Sequence, residues 1–562
     1  MAEARGSGRL ALAAAAFSSN WRNPNLRRAQ LSFLGAWTAE WAFTVALGVV
    51  AYADGGALAV GLVGLLRMVP SAILAPLLSP FADRGRRERV LVVVSAARGV
   101  ATGAAALTVA LAGPTLVVYA LAVLSTIAAT LFRPAHSALL PTLCRTGHEL
   151  TSANVVRGML DSVATLVGPL LATVLLAVAD VSVVFAVAAG ASIWAALLLL
   201  RVRYDSAPRA AAPRGPGLLR EAADGIRAVA GRPDLQLILI LAAAQSLTRG
   251  ALTVFSVVVA IELLGTGEPG VGALMAAVGV GAVAGSLAAS FLVGSGRLGG
   301  WFALGVAMWG LPLALVGIFP EQAAALVLLA FIGVGNALID VAGFTLIGRL
   351  APDEVLARVF GILESLVAVS IGVGALLASA LVQWFGVEGA LIAIGLLCPV
   401  LALVAWRRLR RLDGAVGDLD GAIHLLQRVP MLAPLPLPAI EQLARGLASI
   451  AVPAGQAVIT EGEIGDRFYV VESGHADVVG DGRVVATLSP GDGFGEIALL
   501  RRTRRTATVR ASTALRLRAI DAERFLLAVL GYAPSTEAAL AHVGDELDRY
   551  GPREPLEEPP AP

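Results

Sequence analysis

The feature that most limits this chain is a recurring block of about 20 apolar residues, the length of helix that crosses a bilayer. Such blocks lie near 31–53, 58–82, 90–112, 115–135, 154–178 and 181–204. After a polar gap at 205–233 they return near 235–263, 270–293, 299–319, 323–348, 356–385 and 388–406. The expectation is a membrane all-α bundle of about twelve helices in two six-helix halves. Composition agrees: the chain is 57% hydrophobic and 15% charged, against about 45–50% and about 25% in ordinary soluble domains. A single soluble globule and a disordered chain are both excluded.

Charge divides the chain in two. Residues 1–412 hold 29 Arg and 20 acidic residues, net +9, while residues 413–562 hold 14 and 21, net −7. Every basic residue is arginine. Counting spans from an inside N-terminus, the inner connections hold Arg84, Arg86, Arg87, Arg89, Arg145, Arg201 to Arg232, Arg297, Arg349 and Arg407 to Arg411. The outer connections hold Asp54, Asp180, Glu268, Glu321 and Glu388, and no arginine. Arginine in short loops marks the cytoplasmic side, so both termini are expected there, in a plasma membrane. Met1 to Arg28 lacks the order of charge, short apolar run and cleavage site of a signal peptide. Cys144 and Cys398 suggest neither a disulfide framework nor a metal site.

The two halves repeat. LFRPAHSALLPTL from Leu131 overlays LIDVAGFTLIGRL from Leu338, and GMLDS at Gly158 overlays GILES at Gly361, which sets Asp161 opposite Glu364. Related halves with a site between them are a recurring transporter plan. Ionisable residues inside spans are costly and mark function; here they are Glu40, Arg67, Arg98, Asp161, Arg249, Asp340 and Glu364. Glu40 and Asp340 lie nearest mid-span and are candidates for proton binding, with Asp161, Glu364 and Arg249 as further candidates on the transport path. A structural ion bridge is the other reading, for Glu40 with an arginine from another helix. Trp37 and Trp41 flank Glu40 and can line a cavity.

On these residues, about 30–410 resembles the major facilitator superfamily, in a branch of bacterial exporters. SPFADRGRRERV fits that family's loop between helices two and three: Asp83, Arg84 and Arg87 match, while Ser79 and Arg86 replace glycines and Glu88 an arginine. The resemblance implies a cytoplasmic gate at Asp83, Arg84 and Arg87. VGPLLA resembles the family's antiporter motif and implies a hinge at Gly168 and Pro169, where proline removes a backbone donor. The implied function is secondary transport of a small-molecule substrate, by proton-coupled export of organic or amphiphilic compounds.

From Val452 the pattern changes to short alternating runs bounded by Gly and Asp, which predict about eight antiparallel strands of a β jelly roll with flanking helices. FGEIALLRRTRRTATVRA resembles the phosphate-binding segment of cyclic nucleotide-binding domains. The resemblance implies that Arg505 meets the cyclic phosphate and Glu496 the ribose hydroxyl. Gly495 then admits the backbone, and N–H groups near Ile497, Ala498 and Thr506 face the anion. The ligand is cAMP or cGMP, and the sequence leaves the base open. Val543, Leu547 or Tyr550 are the candidates to cap the purine.

The expected division is 1–30 as a cytoplasmic N-terminal segment, 31–204 and 234–411 as the two halves, and 205–233 as a cytoplasmic linker with an amphipathic helix. Residues 412–550 are the nucleotide domain and 551–562 a disordered tail. No enzyme, metal or other cofactor is expected. Nucleic acid is not expected either, because the domain is net acidic and no DNA-binding helix pair follows it. The lipid bilayer, a small-molecule substrate and a cyclic nucleotide are the partners; oligomeric state is open. The competing reading is a non-transporting membrane receptor that passes the nucleotide signal to a partner.

Overall fold

The computed structural model describes residues 21–84, 86–144, 147–202, 227, 229–289, 297–351, 353–480 and 482–550. The chain separates into two compact units, Met1–Leu412 and Asp413–Pro562. Most of the expected linker, the tail and residues 1–20 lie outside the described residues.

The first unit is all helix: α1 (Pro24–Arg84), α2 (Arg87–Ala110), α3 (Thr115–Ala129), α4 (Phe132–Leu143), α5 (Gly147–Val178) and α6 (Val181–Leu200). Then follow α7 (Pro233–Val258, extended by a π turn, Val259–Leu263), α8 (Gly267–Ala289), α9 (Leu298–Ile318), α10 (Gln322–Leu350) and α11 (Asp353–Arg428), whose residues from Asp413 onward belong to the second unit. Asn23 starts α1: its side-chain oxygen accepts from the Leu26 N–H at 3.2 Å, and Pro24 sits where its missing donor costs nothing.

Among the described residues ten helical stretches are long and apolar enough to cross a membrane. Two of them hold two crossings each. The α1 helix breaks at Gly55 and Gly56, and α11 breaks at Gly386, whose φ of 71° suits glycine. Spans 1 and 2 are the limbs of α1, and spans 11 and 12 the limbs of α11. With α3 and α4 together forming span 4, the total is twelve, as the sequence leads one to expect.

Polarity is inverted relative to a soluble protein. Leu116, Leu403 and Val404 are 74%, 76% and 77% exposed, whereas Arg67 and Arg98 are 4% and 2% exposed. An outer face of this kind suits lipid.

The halves meet along two glycine-lined seams. Span 2 lies on span 11: a Cβ at Gly61 would stand 2.7 Å from the Ala375 carbonyl oxygen, and one at Gly64 2.8 Å from the Ala375 Cβ. Span 5 lies on span 8: a Cβ at Gly272 would stand 2.7 Å from the Pro169 oxygen, and one at Gly279 2.7 Å from the Thr165 oxygen. Small residues allow membrane helices to approach this closely, where dispersion contacts hold them together. The internal repeat exchanges span 2 with span 8 and span 5 with span 11, so one seam is the image of the other.

The second unit is a β sandwich: β1 (Ala448–Val452), β2 (Ala457–Ile459), β3 (Arg467–Ser473), β4 (Ala476–Gly480), β5 (Arg483–Leu488), β6 (Gly493–Phe494), β7 (Thr508–Ala511) and β8 (Leu515–Asp521). One sheet runs β1-β8-β3-β6 and the other β2-β7-β4-β5, all antiparallel. Helices α12 (Leu437–Arg445), α13 (Glu496–Leu500), α14 (Ala522–Leu530) and α15 (Ala533–Tyr550) accompany it.

Strand β3 serves two cores because its side chains alternate. Tyr469 and Val471 join the inter-sheet core, while Phe468 and Val470 join the helical one. Phe468 stacks on Phe525 with centroids 4.5 Å apart.

Leucine at Gly279 is expected to overpack the span 5–span 8 seam by about 1–3 kcal/mol, which lowers the melting temperature of the detergent-purified chain. Leucine at Gly158, where nothing lies within 4 Å of a Cβ, is expected to leave it unchanged.

Candidate functional site

Two sites are built from the residues singled out in the sequence, one in each unit. In the second unit, Arg505 follows the Arg501–Arg502 turn and the Arg504 bridge to Ile464, and is 4% exposed. Its guanidinium donates to the Gly495 carbonyl at 2.7 Å and to the Arg467 carbonyl at 2.8 Å. Its backbone N–H donates to the Glu463 carbonyl at 2.8 Å. Asp466 lies 3.9 Å from the guanidinium, and the Tyr469 ring centroid 5.9 Å from its carbon. Burial draws the Arg505 guanidinium down from its ordinary value, and Tyr469, Asp466, Glu496 and Glu463 around it act in the opposite sense. Arginine remains a cation throughout the neutral range.

Gly495 has φ 92° and ψ 0°, a conformation that strains any residue with a Cβ. A Cβ there would also stand 2.6 Å from a guanidinium nitrogen of Arg505. Gly465 is just as confined: its Cβ would lie 3.0 Å from both the Arg505 guanidinium carbon and the Ala498 Cβ. Three segments therefore close on one cation: the 462–467 turn, the start of α13, and the strand entering β7.

Glu496 opens α13 and is 2% exposed; Ile497 and Ala498 behind it are buried, and Thr506 is half-buried. The Arg504 side chain donates to the Gly462 carbonyl at 2.9 Å, so it pins the turn that encloses Arg505. Val543 is fully buried, and the side chains of Leu547 and Tyr550 lie outside the described residues. Gly465 and the Arg467 carbonyl were not among the expected site groups. Gly465 is one of the spaced glycines of EGEIGDRFYVVESG, residues 461–474, whereas a backbone acceptor leaves no side-chain trace. A buried fork held by two carbonyls, beside backbone N–H groups and a carboxylate, can hold an anion that also offers a hydroxyl.

In the first unit, Glu40 accepts from Arg67 at 3.0 Å and from Arg98 at 2.5 Å. Arg67 also donates to Thr126 Oγ1 at 2.9 Å. Of the two readings open for Glu40, the geometry is that of the ion bridge, with two arginines in place of one.

The remaining transport candidates converge elsewhere. Arg249 lies within electrostatic reach of Arg133, Asp340, Asp161 and Glu364, and Arg157 within reach of Arg133 and Asp161. Asp340 carries accessible surface. It accepts from Asn336 Nδ2 at 2.9 Å. Arg133 pairs with Asp161 at 2.8 Å and lies over the Trp37 ring at 4.6 Å. Arg133 and Arg157 were not singled out in the sequence, although both fall inside apolar blocks, which was signal enough.

The hinge candidates sit at a helix crossing. A Cβ at Gly168 would stand 2.8 Å from the Thr38 carbonyl oxygen of span 1, and Pro169 lies within α5 against Gly272. In the gate segment, Arg87 donates to the Ala138 carbonyl. The side chains of Asp83 and Arg84 lie outside the described residues.

The major facilitator superfamily matches residues 31–294 and 238–437. The chain belongs to that family. Its carboxy-terminal part, residues 449–530, matches the cyclic nucleotide-binding domain, so this family member carries a nucleotide-binding fold on its transporter domain.

Over 102 residues the chain is 44% identical to a cAMP-dependent protein kinase regulatory subunit of Schizosaccharomyces pombe, covering 18% of this chain and 25% of that protein. The Yarrowia lipolytica regulatory subunit is 49% identical over 102 residues, 18% of this chain and 27% of that one. The chain thus spans about a quarter of the length of these relatives. A solved structure of the regulatory domain of Toxoplasma gondii PKA with cAMP is 28% identical, covering 22% of this chain and 47% of that chain, with a TM-score of 0.21.

Glu40→Gln is expected to leave two buried guanidiniums without their counter-charge, at a cost of about 3–5 kcal/mol. Asp161→Asn breaks a half-exposed pair worth about 1 kcal/mol or less. Thermal unfolding of the purified chain should therefore fall by several degrees more for Glu40→Gln.

Proposed function

We propose that this multi-pass membrane protein is a secondary transporter of a bacterial plasma membrane, exporting small organic or amphiphilic molecules, and that a cyclic nucleotide sets its activity. The observation that carries the regulatory part is the buried Arg505 fork, held by the Gly495 and Arg467 carbonyls beside Glu496. In this reading the cyclic phosphate completes the hydrogen bonding of Arg505 and the first N–H groups of α13, and Glu496 accepts from the ribose hydroxyl. The nucleotide is cAMP or cGMP; the kinase subunits that resemble this segment are named for cAMP, which makes it the ligand to try first.

Transport follows from the family's alternating access, with the proton gradient as the driving force. Asp340, Glu364 and Asp161 are the proton carriers in this proposal, since all three lie within electrostatic reach of Arg249. Glu40, clamped by two arginines, holds the first half together. The one-sided arginines of the loops support a cytoplasmic side for both termini. The two units are consecutive in sequence at Leu412 and Asp413, which favours direct passage of the signal. Couplings of this kind are typically about 1–3 kcal/mol, or about 5–150-fold.

Two measurements test the proposal. Equilibrium binding of a fluorescent cAMP should weaken by about 10- to 150-fold in Arg505→Ala, the loss of one or more charged hydrogen bonds at about 1.5–3 kcal/mol. In proteoliposomes, cAMP or cGMP should change wild-type flux, and Arg505→Ala should remove that change. Identical wild-type flux with and without either nucleotide refutes regulation. Nucleotide binding with no flux at all, in the wild type, favours the membrane receptor instead.

A further inference from the structure

A groove runs between span 9 and span 12 on the outer face of the first unit, with a volume of about 410 Å³. That volume falls in the range of ligand pockets, about 300–1,000 Å³. Leu403 on its rim is 76% exposed, so the groove opens toward lipid. Ala303, Ala307 and Ala402 leave the room, and Trp301 and Trp406 wall one end. At the other end the two helices touch. A Cβ at Gly310 would stand 2.6 Å from the Pro399 Cδ, and one at Gly395 2.8 Å from the Ala314 Cβ. Pro399 marks the change from contact to groove. It lies inside span 12, where its missing backbone donor lets a helix bend.

Both lining stripes end on an arginine. On span 9 the stripe through Ala307, Leu304 and Trp301 runs back at helical spacing to Arg297, itself a lining residue. On span 12 positions 399, 402, 403 and 406 line the groove, and the next residue on that face is Arg410. Its guanidinium carbon lies 5.7 Å from the Trp406 ring centroid. Arg408, on another face, is taken by Asp234 at 2.9 Å. Among the described residues no carboxylate pairs with Arg297 or Arg410.

Depth fits as well as charge. Arg297 is ten residues from Ala307, and Arg410 eleven from Pro399, about 15–17 Å along either helix. The hydrocarbon core is about 30 Å thick, so the groove spans one leaflet. Tryptophan belongs at the head-group level, which is where Trp301 and Trp406 place the two arginines. Guanidinium forks suit phosphate, and basic pockets between membrane helices take acidic head groups.

We propose that the groove between spans 9 and 12 binds one acidic phospholipid, from the leaflet on the arginine side. An acyl chain lies along Ala303, Ala307 and Ala402, and the phosphate meets Arg297 and Arg410. A zwitterionic lipid offers the same chain and phosphate, but its own cation is repelled by the arginines, so net negative head groups are preferred.

Native mass spectrometry of the detergent-purified full-length chain tests this. Dioleoyl phosphatidylglycerol and dioleoyl phosphatidylcholine are titrated in turn; they share acyl chains and differ in head-group charge. The first phosphatidylglycerol is expected to bind at least about fivefold more tightly, the factor that one arginine contributes at an anionic surface. Arg297→Gln with Arg410→Gln should remove that preference. Arg22→Gln with Arg201→Gln takes two charges from the other half and should leave it. Ala307→Phe fills the groove and should weaken the first binding of both lipids. If this variant loses the wild-type gel-filtration profile, Leu304→Trp on the same wall replaces it. Equal binding of the two lipids, equal loss in the two double variants, or unchanged binding to the filled groove overturns the proposal. Cross-linking of two chains through Leu403→Cys, absent from the wild type, assigns the groove to a second copy and overturns it too.

Discussion

Hydrocarbon offers a polar group no partner beyond the protein itself, and the first unit is arranged around that limit. Its exposed face is leucine and valine, and its ionised side chains turn inward to one another. Arg67 and Arg98 share Glu40, Arg67 reaches Thr126 as well, and Arg133 takes Asp161 on one side and the Trp37 ring on the other. The pairs differ in burial, and that difference separates their roles. The Glu40 cluster is almost sealed, as befits a fixed brace. Asp161 and Asp340 retain accessible surface.

The second unit keeps a charge buried by other means. Arg505 is held mainly by main-chain carbonyls, which cannot ionise or swing away. The support comes from segments far apart in sequence, with Arg467 38 residues and Gly462 42 residues from their partners. A two-sheet sandwich whose β3 strand is packed on both faces supplies the stiffness that such convergence needs. Arg504 adds a hydrogen bond to the Gly462 carbonyl.

What the sequence disclosed, and what it hid, follows the range of the interactions. Spans are legible because apolar length is a local property, and the strands of the second unit because alternation is. The Arg505 segment is legible because FGEIALLRRTRRTATVRA is continuous. The partners of Glu40 are 27 and 58 residues away, and no local pattern selects them among the arginines. The repeat made Asp161 and Glu364 visible as a pair. The same overlay held Arg133 opposite Asp340, but a mismatch of sign does not look like a match. The break at Gly55–Gly56 was legible as a short gap holding Asp54-Gly55-Gly56, a turn signal, and that at Gly386 only as a gap between apolar blocks.

The two glycine seams have a mechanical consequence. Because the pseudo-twofold maps one onto the other, a tilt of the first half that parts one seam at a given depth parts its image at the same depth. Neither can loosen alone without shearing the other. Close packing at small residues thus couples the two halves at both seams.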